Sequence, residues 1–274
     1  MEKAKILYVS QEIYPYLGLN PMSEFGRYLP QVAFESGKEI RIFMPRFGNI
    51  NERKNQLHEV IRLSGLNIII DDVDHPLLIK VASIPTVRIQ TYFIDNEDFF
   101  TIKADIKDAK GNYISNNDER ALFFARGVLE TVKKLAWKPS LIHCSGWFSM
   151  LLPFVIKRTD FKDNPYFSSS KLVVSLFNDP FPGMLDENLI RKLKELGGTP
   201  KDWKFYKEPT YQNIMMAAIS YADAVVVAQD KVDKTLIEFS KENKKNVIPF
   251  KTDKKIFYKS INDYYDSIIE LDED

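Results

Sequence analysis

The stretch Lys5-Ile6-Leu7-Tyr8-Val9 decides the fold: an apolar run with β-branched and aromatic content and no polar alternation. Such a run reads as a short parallel strand buried on both faces. It gives way to the turn Ser10-Gln11-Glu12-Ile13-Tyr14-Pro15, then to a loop through Gly18 and Asn20-Pro21. Ser23 is placed to cap a helix whose apolar positions Phe25, Tyr28, Leu29 and Val32 recur at helical spacing, with Gly37 at its end. Pro30 lies inside that pattern and is expected to kink the helix or restart it. In open α/β folds ligands bind beyond the carboxyl ends of the strands, so this first loop is the first candidate site.

Working outward, the same alternation continues. Residues 39–44 read as a second strand, and four apolar runs between 60 and 93 without an intervening helix suggest hairpins or a meander inserted in the pattern. Asn117 can cap a helix running to about Leu135, and 101–116 reads as a polar surface loop. A strand is expected at Ile142-His143, then a helix over 149–157 interrupted by Pro153. Further strands are expected at 172–176, 224–227 and 246–250, and helices at 185–196, 211–221 and 231–239. Strands and helices in this order predict an α/β fold with a doubly wound, mainly parallel sheet and a small β insertion.

Composition narrows the function. Lysine and arginine total 38 against 38 aspartate and glutamate, so no basic excess points to nucleic acid or an anionic membrane surface. Hydrophobic residues make up 45%, enough for a sizeable core. Cys144 is the single cysteine, which excludes an intramolecular disulfide and fits a reducing compartment. The apolar run from Ile6 to Val9 is too short for a secretory leader, and no run approaches the ~20 residues of a membrane span. The expectation is a cytoplasmic protein. His58, His75 and His143 stand at no metal-ligand spacing, and no Walker loop or G-x-G-x-x-G occurs, so no metal and no cofactor is expected.

Several segments carry a resemblance. Gln11-Glu12-Ile13-Tyr14-Pro15, Tyr28-Leu29-Pro30 and Arg41-Ile42-Phe43-Met44-Pro45-Arg46-Phe47 follow a frame of S-E-x-x-P, A-L-P and R-V-x-L-P-R-Y. Ile94-Asp95-Asn96, Asn117-Asp118-Glu119-Arg120, Trp137-Lys138-Pro139 and Asn213-Ile214-Met215-Met216-Ala217-Ala218-Ile219-Ser220-Tyr221-Ala222-Asp223 continue it. The chain resembles the glycogen and starch synthases, the ADP-glucose-dependent enzymes of glycosyltransferase family five, over most of Lys5 to about Tyr258. That resemblance implies a Rossmann-like domain, the N-terminal half of a GT-B fold, over residues 1–258. Residues 259–274 are expected to form an amphipathic helix packing back on the domain, with an acidic tail.

The resemblance also implies where a site lies and how it departs from the family. The family loop K-T-G-G is replaced by Gly18 and Asn20-Pro21, and Glu24 stands for Asp. His143-Cys144-Ser145-Gly146-Trp147-Phe148-Ser149 stands for H-A-H-D-W-H-T, and Leu176-Phe177-Asn178 for I-H-N. Gly and Phe side chains donate no hydrogen bond to a sugar, and Gly18 neutralises no phosphate. Glu12, Tyr14, Gly18, Asn20, His143, Trp147 and Asn178 are the candidate glucan or sugar contacts, and no catalytic residue is assigned. His143 also reads as a satisfied core histidine, Trp147 as a packing residue and Asn178 as a turn residue. Tyr14, Tyr16, Phe47 and Phe181, if exposed, offer an apolar patch for a glucan or a protein partner. Three functions stay open: a catalytically silent synthase-like domain used for glucan binding or protein interaction; a glucosyltransferase using ADP-glucose, alone or completed by a partner chain; and an unrelated Rossmann-like binding protein for another small ligand.

Overall fold

The computed structural model describes residues 3–87 and 89–270. Strand β1 (Lys5–Ser10) leads into helix α1 (Pro21–Glu35) and strand β2 (Glu39–Pro45). The insertion contributes β3 (His58–Glu59), β4 (Leu66–Ile70) and β5 (Val73–Ser83), followed by β6 (Gln90–Asp95), the single turn α2 (Glu97–Phe100) and the long helix α3 (Asn117–Lys134). Then come β7 (Leu141–Ser145), α4 (Leu152–Arg158), β8 (Lys171–Leu176), α5 (Leu189–Leu196), α6 (Tyr211–Tyr221), β9 (Ala224–Val227), α7 (Lys234–Glu242), β10 (Asn246–Ile248) and α8 (Lys254–Glu270).

The sheet runs β10-β9-β8-β7-β1-β2-β6-β5-β3, with β4 paired to β5. From β10 to β6 every neighbouring pair is parallel. β5 lies antiparallel to β6, and β3 and β4 antiparallel to β5, so the insertion extends one edge of the sheet as a meander. β1 sits at the centre, its Ile6, Leu7 and Val9 fully buried, as an apolar run covered on both faces must be.

Local chemistry shifts several expected boundaries. α1 runs through Pro30 as one element, because Leu29, Pro30 and Ala33 are buried and their packing outweighs the hydrogen bond that proline cannot make. Its cap is Asn20, not Ser23, and Pro21 stands in the first turn, where no N–H is needed. Asn117 is not a cap either: its amide is drawn inward, donating to the Ile106 carbonyl (2.8 Å) and accepting from Arg120 (2.5 Å). Pro153 begins α4 instead of interrupting a helix, after a 3-10 turn over Trp147–Ser149. α5 and α7 begin at Leu189 and Lys234, later than the starts at 185 and 231 that their apolar spacing suggested.

α8 starts at Lys254, before the expected residue 259, and lies along α1. Phe257 and Tyr258 pack around Phe25 at ring-centroid distances of 6.2 and 5.8 Å, and Lys38 pairs with Asp266 at 2.6 Å. Lys254 pairs with Glu24 in the first turn of α1. The acidic end Asp272-Glu273-Asp274 lies outside the described residues.

Candidate functional site

Three loops meet beyond the carboxyl ends of β1, β7 and β8. The backbone N–H of Gln11 donates to the Ser145 carbonyl at 2.9 Å, and the Gln11 side-chain oxygen accepts from the N–H of Phe148 at 3.0 Å. Asp179, just after β8, accepts from the Trp147 N–H at 3.2 Å and from the Tyr211 hydroxyl at 2.7 Å. The hydroxyl of Tyr113 donates to the Pro180 carbonyl at 3.1 Å, bringing the 101–116 loop to the same place. Parallel strands in register deliver these loops side by side, so the crevice follows from the topology.

The first loop is closed by its own side chains. Asn20 Oδ1 accepts from the Ser23 N–H (2.9 Å), and Ser23 Oγ accepts from the Asn20 N–H (3.0 Å), a reciprocal capping box. The same hydroxyl donates to the Gly18 carbonyl at 2.8 Å, and Asn20 Nδ2 donates to Glu12 Oε2 at 2.5 Å. Asn20-Pro21 stands where the family pattern has Gly-Gly, and these two residues finish a helix start instead of leaving bare N–H groups for a ligand.

Of the candidate contacts, Glu12, Tyr14, Gly18 and Asn20 come together on this loop, and Asn178 is exposed at the end of β8. Tyr14 is 39% exposed. His143 and Trp147 are 0% and 1% exposed and present no ring surface to solvent. His143 Nε2 hydrogen-bonds Ser175 Oγ at 2.6 Å and Nδ1 meets the Tyr265 hydroxyl, so both nitrogens are engaged inside the core. Trp147 packs edge-on against Phe181 at 4.8 Å, and its indole N–H has no partner among the described residues. Tyr16, Phe47 and Phe181 are buried as well, so the expected patch of exposed aromatics does not form: their rings fill the space beneath the loops.

The apolar replacements are themselves core residues. Phe148 lies 5.3 Å from Phe47 and 6.0 Å from Phe124, and Phe177 lies 5.4 Å from Phe25. Gly146 has φ = +83°, and a Cβ there would stand 2.6 Å from Gln11 Cβ and 2.8 Å from Met22 Sδ. The Asp of the family pattern therefore has no room at this position. The three arginines in the matched motifs are engaged by the fold: Arg41 donates to the Tyr92 hydroxyl, Arg46 pairs with Asp95 at 2.9 Å, and Arg120 is fully buried.

What the crevice does carry is negative. Burial raises the Glu12 carboxyl, against hydrogen bonds from Asn20 and Gln11, and the charge of Asp105 raises it further. Burial pushes Asp179 up to about 6, partly offset by the Tyr211 hydrogen bond, with the Glu12 charge adding to the rise. Folding therefore favours the protonated form of Asp179. This contribution is full below the unfolded value of about 3.9 and is lost as pH rises through about 6. Asp179→Asn is expected to remove it, so that variant stability relative to wild type improves by about 2 kcal/mol between pH 4 and 7 in urea denaturation. A difference independent of pH would contradict the assignment.

A model of the starch synthase catalytic domain matches residues 5–245. The chain belongs to this family. The glycogen synthase of Chlorobium limicola is 40% identical over 190 residues, 69% of this chain and 39% of that protein. The glycogen synthase of Chlorobaculum parvum is 32% identical over 234 residues, 85% of this chain and 47% of that protein. The chain thus spans less than half the length of these curated relatives. Among solved structures, the catalytic domain of starch synthase IV from Arabidopsis thaliana, bound to ADP and acarbose, superposes with a TM-score of 0.71 at 14% identity. That match covers 91% of this chain and 51% of the other, which makes the fold one half of a GT-B glycosyltransferase.

Within this starch synthase-like half, sequence reasoning missed Asp179, Asp105 and Tyr211. Asp179 had a signal, one residue beyond Asn178 and ahead of Pro180 at a strand end. Asp105 and Tyr211 had none, since only the folded loops bring Asp105 near Glu12 and Tyr211 to Asp179. Among the described residues no group of three or more His, Cys, Asp or Glu is placed to hold a metal ion. No described helix is long and apolar enough to cross a membrane.

Proposed function

We propose that the crevice of this synthase-like domain holds a neutral glucan and that the chain does not transfer glucose. The observation carrying this reading is the electrostatic character of the site: Glu12, Asp105 and Asp179 interact there, while Arg46 and Arg120 are turned into the fold. A departing nucleoside diphosphate needs cations and free N–H donors, and carboxylates at the same place oppose it. Sugar hydroxyls are neutral donors that carboxylates and amides accept well. Glu12, Asn20 and Asn178 supply such groups, and the half-exposed ring of Tyr14 offers a face for a sugar.

Calorimetric titration with malto-oligosaccharides tests the reading. Saturable binding is expected, and Glu12→Gln is expected to weaken it about tenfold by removing a charge-assisted acceptor. Trp147→Ala is a poor probe, because the buried ring supports the loops. Absence of binding in the folded wild-type chain would refute the proposal. The second reading, a glucosyltransferase using ADP-glucose with a partner chain, is favoured by the 40% identity to a glycogen synthase.

A further inference from the structure

The insertion leaves one sheet edge open. β4 pairs with β5 alone, and among the described residues no strand lies on its other side. Its inner residues Ile68 and Ile70 are buried, whereas Asn67 and Ile69 face outward, Ile69 being 56% exposed. The hairpin closes on Asp71-Asp72, both at positive φ, so the pairs Ile70–Val73 and Ile68–His75 use the inner hydrogen-bonding groups. The backbone N–H and C=O groups of Asn67 and Ile69 therefore point away from β5. An edge of five residues, carrying apolar side chains and no lysine or proline, is a template for another strand.

We propose that this edge pairs with β4 of a second copy of the chain, antiparallel about a two-fold axis at Ile68. Charge selects that partner and that direction. β4 begins beside a groove of about 330 Å³ lined by Leu63, Leu66, Leu77, Glu130, Lys133 and Lys134, where Lys133 pairs with Glu130 at 2.9 Å and Lys134 Nζ donates to the Ser64 carbonyl at 3.3 Å. The strand ends at the acidic turn Asp71-Asp72. With Ile68 opposite its own copy, Asn67 faces Ile69, Leu66 faces Ile70, and Asp72 falls opposite Ser64, next to Lys134 of the other copy. Asp71 pairs with Arg191 and Lys133 with Glu130 within each chain, so the match of acid to base at both ends falls to Asp72 and Lys134, and a parallel pairing would set like beside like. Leu66 and Ile69, both exposed in the single chain, become covered. Two five-residue strands make an interface below about 1,200 Å², so the dimer is expected to be reversible and dependent on concentration.

Sedimentation equilibrium over a range of concentrations tests this. The wild-type chain is expected to show a monomer–dimer equilibrium, and Ile69→Lys to raise the dissociation constant about tenfold or more while leaving the circular dichroism unchanged. Asp72→Lys and Lys134→Asp should each weaken the dimer, and the double variant should restore it. A wild type that stays monomeric throughout overturns the proposal, as does a dimer insensitive to Ile69→Lys. A folded double variant no tighter than either single change overturns the two-fold register. A monomer that instead binds an unrelated extended peptide along β4 overturns the assignment of a second copy.

Discussion

Tyr265→Ala is expected to lower the free energy of unfolding by about 3–5 kcal/mol, the range for truncating a buried aromatic. Tyr265 is 0% exposed, with its ring 5.9 Å from His143 and 6.4 Å from Tyr8. Its hydroxyl also meets His143 Nδ1, so the truncation opens a cavity and leaves a buried imidazole nitrogen unpaired. Burial pushes His143 down to about 3, so the fold holds it neutral. Its contribution to stability is present above the unfolded value near 6.5 and is lost as pH falls below it. Tyr265→Ala, by admitting water to the ring, should make this acid loss shallower. Urea denaturation at pH 7.5 and pH 5 measures both effects. A cost below about 1 kcal/mol would mean that α8 contributes little to the fold.

Arg120→Met is expected to cost about 3 kcal/mol or more, the scale for breaking a buried hydrogen-bonded charge network. The guanidinium donates to the carbonyls of Phe99 and Asp105, each at 2.8 Å, and to Asn117 Oδ1, among the rings of Phe47, Phe100 and Phe148. Burial lowers it to about 10, so it remains charged at neutral pH. Methionine fills similar volume but leaves three acceptors without donors. Because Asp105 belongs to the 101–116 loop, the substitution should also release that loop, visible as faster limited proteolysis there. Arg120→Lys should rescue poorly, since one ammonium cannot reproduce the planar fork. Unchanged stability with a protected loop would contradict this role.

The sheet was legible in the sequence because its strands are short uninterrupted apolar runs, as in Lys5–Ser10 and Lys171–Leu176. Helix starts were less so, because the capping residue is decided by competition among neighbouring polar side chains. Asn20 and Ser23 both qualify as caps, and only the reciprocal hydrogen bonds single out Asn20. The grouping of Glu12, Tyr14, Gly18 and Asn20 was legible because these residues are contiguous on the first loop. The exposure expected of Tyr16, Phe47 and Phe181 was not, because sequence shows an aromatic residue but not which way its ring turns, whereas Trp147 takes the packing role that its sequence also offered. His143 illustrates the same limit from the other side. Its partners Ser175 and Tyr265 lie 32 and 122 residues away, so its core role emerges only when α8 packs back.

The most direct measurement is a calorimetric titration with ADP-glucose beside malto-oligosaccharide, followed by an assay for glucose transfer when both are present. A closed first loop and an acidic crevice predict heat from the oligosaccharide, none from ADP-glucose, and no transfer. Saturable ADP-glucose binding, or any transfer by the purified chain, would contradict the account and favour the glucosyltransferase reading.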